Sequence, residues 1–131
     1  MKNKNLLITG STGFIGSNIL DSLLKNYNIF VTSRRKSFKQ KNVNVIGYDK
    51  YKNGGIGSFD DCLKTDIIFL CLPTQFSYEI HEYDKSAIIE VLTYITNHKY
   101  NGLIVLKSTV EPETTDKLYN HFKQKHHINL V

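Results

Sequence analysis

Apolar runs and helical patterns alternate along this chain. Leu6-Leu7-Ile8 is a short run without polar alternation and reads as a strand buried on both faces. Between Phe14 and Lys25 the apolar residues Ile15, Ile19, Leu20, Leu23 and Leu24 recur at helical spacing. Ile29-Phe30-Val31 and Val43-Asn44-Val45-Ile46 predict a second and a third strand. Gly54-Gly55 and Gly57 mark a loop, and a short helix is expected between Ser58 and Lys64. The most apolar run, from Asp66 to Leu72, predicts a central strand. Asp84 suits the cap of a helix whose apolar face is Ile88, Val91, Leu92 and Ile95. Gly102-Leu103-Ile104-Val105-Leu106 predicts a fifth strand. Pro112 suits the first turn of a helix reaching Lys125, and Ile128 to Val131 begins a sixth strand.

Strands of this kind, interleaved with helices, define an α/β fold class. The expected architecture is a doubly wound parallel sheet, Rossmann-like, of about six strands with helices on both faces. No repeat, linker or low-complexity segment divides the 131 residues, so one domain, 1–131, is expected.

Composition narrows the function classes. At 40% apolar and 22% charged the chain has the balance of a water-soluble globular protein. No run reaches the roughly 18 apolar residues that a membrane span needs, so no membrane partner is expected. The short apolar run after Met1-Lys2-Asn3-Lys4-Asn5 passes straight into a glycine loop, which makes it a first strand and not a signal peptide. Cys62 and Cys71 are too far apart for a CxxC pair, and Cys71, inside an apolar run, reads as a buried free thiol. A reduced, cytoplasmic compartment is expected. The net charge is +5, but the lysines stand singly among asparagines without an aromatic stacking pattern. Nucleic acid is therefore not an expected partner. His126-His127 has no carboxylate or third ligand at metal spacing, so no metal site is expected.

The candidate chemistry lies in Thr9-Gly10-Ser11-Thr12-Gly13-Phe14-Ile15-Gly16, set between a strand and a helix. Gly10 suits a tight turn, Gly13 lets backbone approach a pyrophosphate with no Cβ in the way, and Gly16 lets the helix lie close to the strand. The helix N-terminus offers donors and positive partial charge to phosphate. Residues 10–16 are therefore candidate cofactor-binding residues for NAD or NADP. At the end of the second strand, where NAD-binding domains carry an acid for the ribose, this chain has Thr32-Ser33-Arg34-Arg35-Lys36. Arg34 and Arg35 are candidates for holding a 2′-phosphate, the other reading being a basic turn in solvent. Asp49 is either a contact to adenine or a surface residue.

Two families are resembled, one by each half. Leu7-Ile8-Thr9-Gly10-Ser11-Thr12-Gly13-Phe14-Ile15-Gly16 resembles the extended short-chain dehydrogenases and sugar-nucleotide epimerases, whose motif reads T-G-x-x-G-F-I-G. The arginines after the second strand resemble NADP-preferring members. Asp66-Ile67-Ile68-Phe69-Leu70-Cys71-Leu72-Pro73-Thr74 and Val105-Leu106-Lys107-Ser108-Thr109-Val110-Glu111-Pro112 resemble the UDP-glucose and GDP-mannose dehydrogenases. The second stretch is similar to the family's K-S-T-V-x-P-G-T-T run, with Glu113 in place of the glycine. The glycine loop departs from that family's G-x-G-x-x-G by one residue. This second resemblance implies that Pro73 and Thr74 line the nicotinamide side and that Thr109 positions a catalytic water. It also implies a substrate domain with a thioester-forming cysteine and a lysine, expected beyond these residues.

The resulting expectation is the nicotinamide-dinucleotide-binding domain of a UDP-glucose/GDP-mannose dehydrogenase-like oxidoreductase. Its partners would be the dinucleotide and a sugar nucleotide carried by a separate substrate domain, without which it would be inactive. Two alternatives stand beside it. One is an NADP-dependent short-chain reductase or epimerase-like protein using Tyr119 and Lys123 in Tyr-x-x-x-Lys spacing, with Ser108 as oxyanion partner. The other is a non-catalytic dinucleotide sensor.

Overall fold

The computed structural model describes residues 4–32, 43–46 and 63–131. Its main sheet has six strands: β1 (Asn5–Thr9), β2 (Asn28–Thr32), β3 (Val43–Ile46), β4 (Ile67–Leu70), β7 (Leu103–Leu106) and β8 (Asn129–Leu130). They lie in the order β3-β2-β1-β4-β7-β8, with every neighbouring pair parallel. The order runs one way from β1 and then back past it, so the switch point falls between β1 and β4. Ligands of such sheets lie beyond the carboxyl ends of the strands at that point. Among the described residues three helices cover the sheet: α1 (Phe14–Leu23), α2 (Ser86–Asn97) and α3 (Thr114–Phe122). A two-stranded antiparallel hairpin, β5 (Phe76–Ser77) and β6 (Glu82–Tyr83), stands between β4 and α2.

Successive strand residues point to opposite faces, and this sorts the core into two layers. Leu6 and Ile8 of β1 join Ile29, Val31 and Leu20 on the α1 side. Leu7, Ile68, Leu70 and Ile104 face the other way, onto α2 and α3. On α2 the residues Ile88, Val91, Leu92 and Ile95 form the buried stripe that their spacing predicts. Each such fully buried side chain contributes about 1.5–3 kcal/mol, so these two layers outweigh any exposed ion pair.

Four expectations are corrected in detail. The central strand stops at Leu70, because Leu70 O accepts the N–H groups of Lys107 and Ser108 and the chain then leaves the ladder. Cys71 is half-buried, not buried. Helix α2 starts at Ser86; the Asp84 carboxylate still accepts the Ser86 N–H at 3.0 Å. Helix α3 starts at Thr114, beyond Pro112, because Glu113 takes a left-handed φ of 70° and interrupts the turn. The hairpin was not expected. Phe76-Ser77-Tyr78-Glu79-Ile80 carries the alternation of a strand, but no glycine marks its turn, where His81 takes φ 54°. Most of the short helix expected over Ser58 to Lys64 lies outside the described residues, as does Cys62.

Candidate functional site

The glycine loop joins the carboxyl end of β1 to α1, at the switch point. Thr9, buried at the end of β1, donates its hydroxyl to Phe69 O at 3.1 Å and so staples β1 to β4. Gly10 follows with φ +69°, and a Cβ there would lie 2.1 Å from the carbonyl oxygen of Cys71. Gly10 O accepts the Gly13 N–H at 3.0 Å. A Cβ on Gly16 would fall 2.2 Å from that same oxygen. Gly10 and Gly16 are thus required by the packing of strand, turn and helix.

Gly13 is different. It has ordinary extended backbone, and a Cβ there would meet only Gly10 O, at 3.4 Å. Packing does not require a glycine here, although glycine is also a favoured helix N-cap, and the backbone stays open to approach. Gly13 caps α1, whose first turn has no side-chain cap and no acidic residue. Ser17 and Asn18 turn their side chains back to Phe14 O, at 3.1 and 2.7 Å, and not toward the N-terminal donors. An uncapped N-terminus of this kind suits an anion.

The other loop residues divide by burial. Ser11 is buried and its hydroxyl reaches Thr32 O at 3.5 Å, holding the loop against the end of β2. Thr12 is exposed and Ile15 is half-buried. Phe14 is 86% exposed, so its ring serves no core. Arg34, Arg35 and Asp49 lie outside the described residues.

Across the switch point, the segments leaving β4 and β7 are sewn together. Ser108 Oγ donates to Leu72 O at 2.8 Å and approaches Leu70 O at 3.3 Å. Thr74 Oγ1 donates to the Thr109 carbonyl. Pro73 and Thr109 are exposed at this rim and Thr74 is half-buried. The structure therefore brings Thr74 and Thr109 together, a contact that the sequence reading did not foresee.

Sequence reasoning missed one group here. The Glu111 carboxylate accepts the Tyr83 N–H at 2.7 Å and pairs with the Lys85 ammonium at 3.0 Å. The Tyr83 N–H, its own N–H and Lys85 together hold Glu111 down at a pKa of about 2. The signal available was a charged residue at the variable position of the K-S-T-V-x-P run.

Cys71 packs with the α1-side layer, and burial pushes its thiol up to about 11 against the opposing pull of Lys107. It is a neutral thiol at neutral pH. Tyr119 packs against the α2/α3-side core, with the Lys123 ammonium 5.3 Å above its ring and not at its hydroxyl. With the Ser108 hydroxyl engaged at β4, the structure does not gather Ser108, Tyr119 and Lys123 into a hydrogen-bonded group. A hollow of about 560 Å³ between Lys4, Asp66, Lys99 and Gly102 lies at the amino ends of the strands, away from the loop. Among the described residues no three His, Cys, Asp or Glu side chains are gathered for a metal ion. No helix of the described residues is long and apolar enough to cross a membrane.

Comparison with known proteins follows this geometry. The solved structure of GDP-mannose dehydrogenase from Pseudomonas aeruginosa superposes with a TM-score of 0.69 at 13% identity, over 95% of this chain and 34% of that one. UDP-glucose dehydrogenase from the archaeon Pyrobaculum islandicum gives 0.68 at 14%, over 97% and 34%. A UDP-N-acetylglucosamine 4-epimerase from Methanobrevibacter ruminantium gives 0.53 at 23%, over 80% and 37%. At these identities the likeness is one of fold, and the chain spans about a third of the length of each. A comparison with curated protein sequences gives no match. The family model described as "UDP-glucose/GDP-mannose dehydrogenase family, NAD binding domain" matches residues 57–130. That match covers more than half of the sequence and both stretches at the rim, and the chain belongs to the UDP-glucose/GDP-mannose dehydrogenase family through its NAD-binding domain.

Proposed function

We propose that this chain binds a nicotinamide dinucleotide across the carboxyl ends of β2, β1, β4 and β7, as the cofactor half of a sugar-nucleotide oxidoreductase. A separate substrate domain brings the sugar nucleotide to it. The observation that carries this reading is Gly13: its missing Cβ serves no packing, and it stands at the uncapped N-terminus of α1. In this reading residues 10–16 hold the pyrophosphate, and Arg34 and Arg35 hold a 2′-phosphate. Pro73 and Thr74 wall the nicotinamide, and Thr109 orients a water. When bound, the nicotinamide supplies hydride-transfer chemistry; the chain supplies position and exclusion of water.

Calorimetric titration with NADP and with NAD tests it. NADP should bind more tightly, since a charge-assisted hydrogen bond from each arginine is worth about 1.5–3 kcal/mol before solvent screening. Equal or tighter binding of NAD would remove the role of Arg34 and Arg35. Absence of binding by both would overturn the reading as a whole.

A further inference from the structure

We propose that the hairpin of residues 76–83 is the wall of the crevice that meets the nicotinamide ring, and that Glu111 is the positioning residue that holds it there. This rests on the dinucleotide reading above.

The placement follows from the topology. The adenosine half of a dinucleotide lies on the β2 side of the phosphate loop, so the nicotinamide half extends past β4 toward β7. The hairpin leaves the carboxyl end of β4 through Pro73 and Thr74. Both of its legs are strapped to the loop after β7. On the entry side, the Thr74 hydroxyl holds the Thr109 carbonyl. On the exit side, Glu111 takes the Tyr83 N–H on Oε1, and the Lys85 ammonium lies 3.2 Å from Oε1 and 3.0 Å from Oε2. Lys85 also donates to Tyr83 O at 3.0 Å, and Asp84 N–H closes the hairpin base on Gln75 O at 2.8 Å. The carboxylate thus fixes β6 and the start of α2 with one side chain.

What the straps hold is an aromatic surface. Phe76 packs edge-on against Tyr78 and Tyr83, with ring centroids 5.1 and 5.3 Å away. Tyr78 is 82% exposed and Phe76 40%. An apolar patch in water beside a ligand crevice is accounted for when a flat ring covers it. The depressed pKa of Glu111 keeps its charge, and so the exit-side strap, throughout the neutral range.

The test separates the two halves of the ligand. The full chain is titrated with NADP and with 2′-phospho-ADP-ribose, which is NADP without the nicotinamide ring. The native chain should prefer NADP. In Glu111→Ala, NADP affinity should fall about tenfold toward that of the truncated ligand, whose own affinity stays within about twofold. Glu111→Gln keeps an acceptor for the Tyr83 N–H and should lose less; Lys85→Met should resemble it. Retained binding of 2′-phospho-ADP-ribose shows that each variant is folded with its phosphate loop intact. Equal binding of the two ligands by the native chain would overturn the hairpin's role. Equal losses for both ligands, or no change for either, would overturn the role of Glu111. If the native chain binds neither of these ligands nor NAD, the dinucleotide reading fails and this inference with it; if it binds NAD alone, NAD and ADP-ribose take their places in the same titrations.

Discussion

The Thr74 hydroxyl donates a hydrogen bond to the backbone carbonyl of Thr109, joining the segment that leaves β4 to the one that leaves β7. The two threonines are therefore not equivalent. Thr74 acts through its side chain, whereas Thr109 accepts through its backbone and keeps its own side chain exposed. Thr74→Val should cost about 0.5–1.5 kcal/mol of stability, the usual net worth of one such bond. Thr109→Ala should stay within about 0.5 kcal/mol, as most exposed substitutions do. Urea midpoints measure both, and equal destabilisation would show that the Thr109 hydroxyl has a structural task.

The three glycines of the loop should separate by phenotype. Gly10→Ala forces a Cβ to 2.1 Å from Cys71 O at positive φ, and Gly16→Ala forces one to 2.2 Å from Gly10 O. Both should destabilise by about 2 kcal/mol or more, because the neighbouring atoms are backbone and cannot step aside. Gly13→Val should fold, at a cost of about 1 kcal/mol for the poorer cap, and should lose dinucleotide binding. Unchanged affinity in a folded Gly13→Val chain would place the ligand elsewhere.

Much of this site was legible because its signals are local. The glycine spacing between a strand and a helix predicted the tight turn at Gly10 and the close strand–helix approach at Gly16, since the turn and the helix start are set within a few residues. The apolar runs gave the six strands of the sheet for the same reason. What was not legible depends on contacts made across the fold. Glu111 and Lys85 are 26 residues apart, and only the adjacency of β4 and β7 brings them together. The hairpin carried an alternating pattern, but its turn is made by His81 at a φ that most turns assign to glycine or asparagine. The end of β4 was overrun because Cys71 and Leu72 are apolar, while pairing to β7 stops at Leu70.

Glu113 offers a direct gain in stability. It holds φ 70°, ψ 0° immediately before α3, where the resembled K-S-T-V-x-P-G-T-T run carries glycine. Left-handed backbone costs a side-chain-bearing residue about 1–2 kcal/mol, while glycine adds about 0.5–1 kcal/mol of unfolded-state entropy. Glu113→Gly should therefore stabilise by about 0.5–1 kcal/mol. Thermal and urea unfolding check this, and a destabilised variant would mean that the glutamate side chain contributes a compensating interaction.

Stability should be flat in the neutral range and fall on both sides. Glu111, lowered from 4.5 to about 2, and Asp84, lowered by the Ser86 N–H, are depressed carboxylates. Their contribution is present above the unfolded values and is lost as pH falls through the folded ones. Cys71 is raised from 9.0 to about 11, so its contribution is present below 9.0 and is lost as pH rises toward 11. Glu111→Gln should flatten the acid limb and Cys71→Ala the alkaline one. An acid limb unchanged by Glu111→Gln would mean that its carboxylate interactions do not favour the folded state.

Cofactor binding and chemistry should come apart in residues 1–131 studied alone. Hydride transfer needs the sugar carbon held within about 3–3.5 Å of the nicotinamide. The described residues present one wall for that, the carboxyl edge of the sheet with its loops and hairpin. By the family resemblance, the second oxidation needs a thiolate beside the sugar, made reactive by nearby positive charge. Cys71 is unsuited: its thiol is neutral, with a pKa of about 11, and it packs with Leu6 and Ile8 on the α1 side. In the proposed reading Thr109 orients a water at the rim, but without a thioester that water has nothing to attack. The expected result is saturable binding of dinucleotide with no reduced cofactor formed from UDP-glucose or GDP-mannose, followed by the cofactor's absorbance. Sustained turnover that disappears in Thr109→Ala would show that these residues assemble a complete site and that a separate substrate domain is not needed.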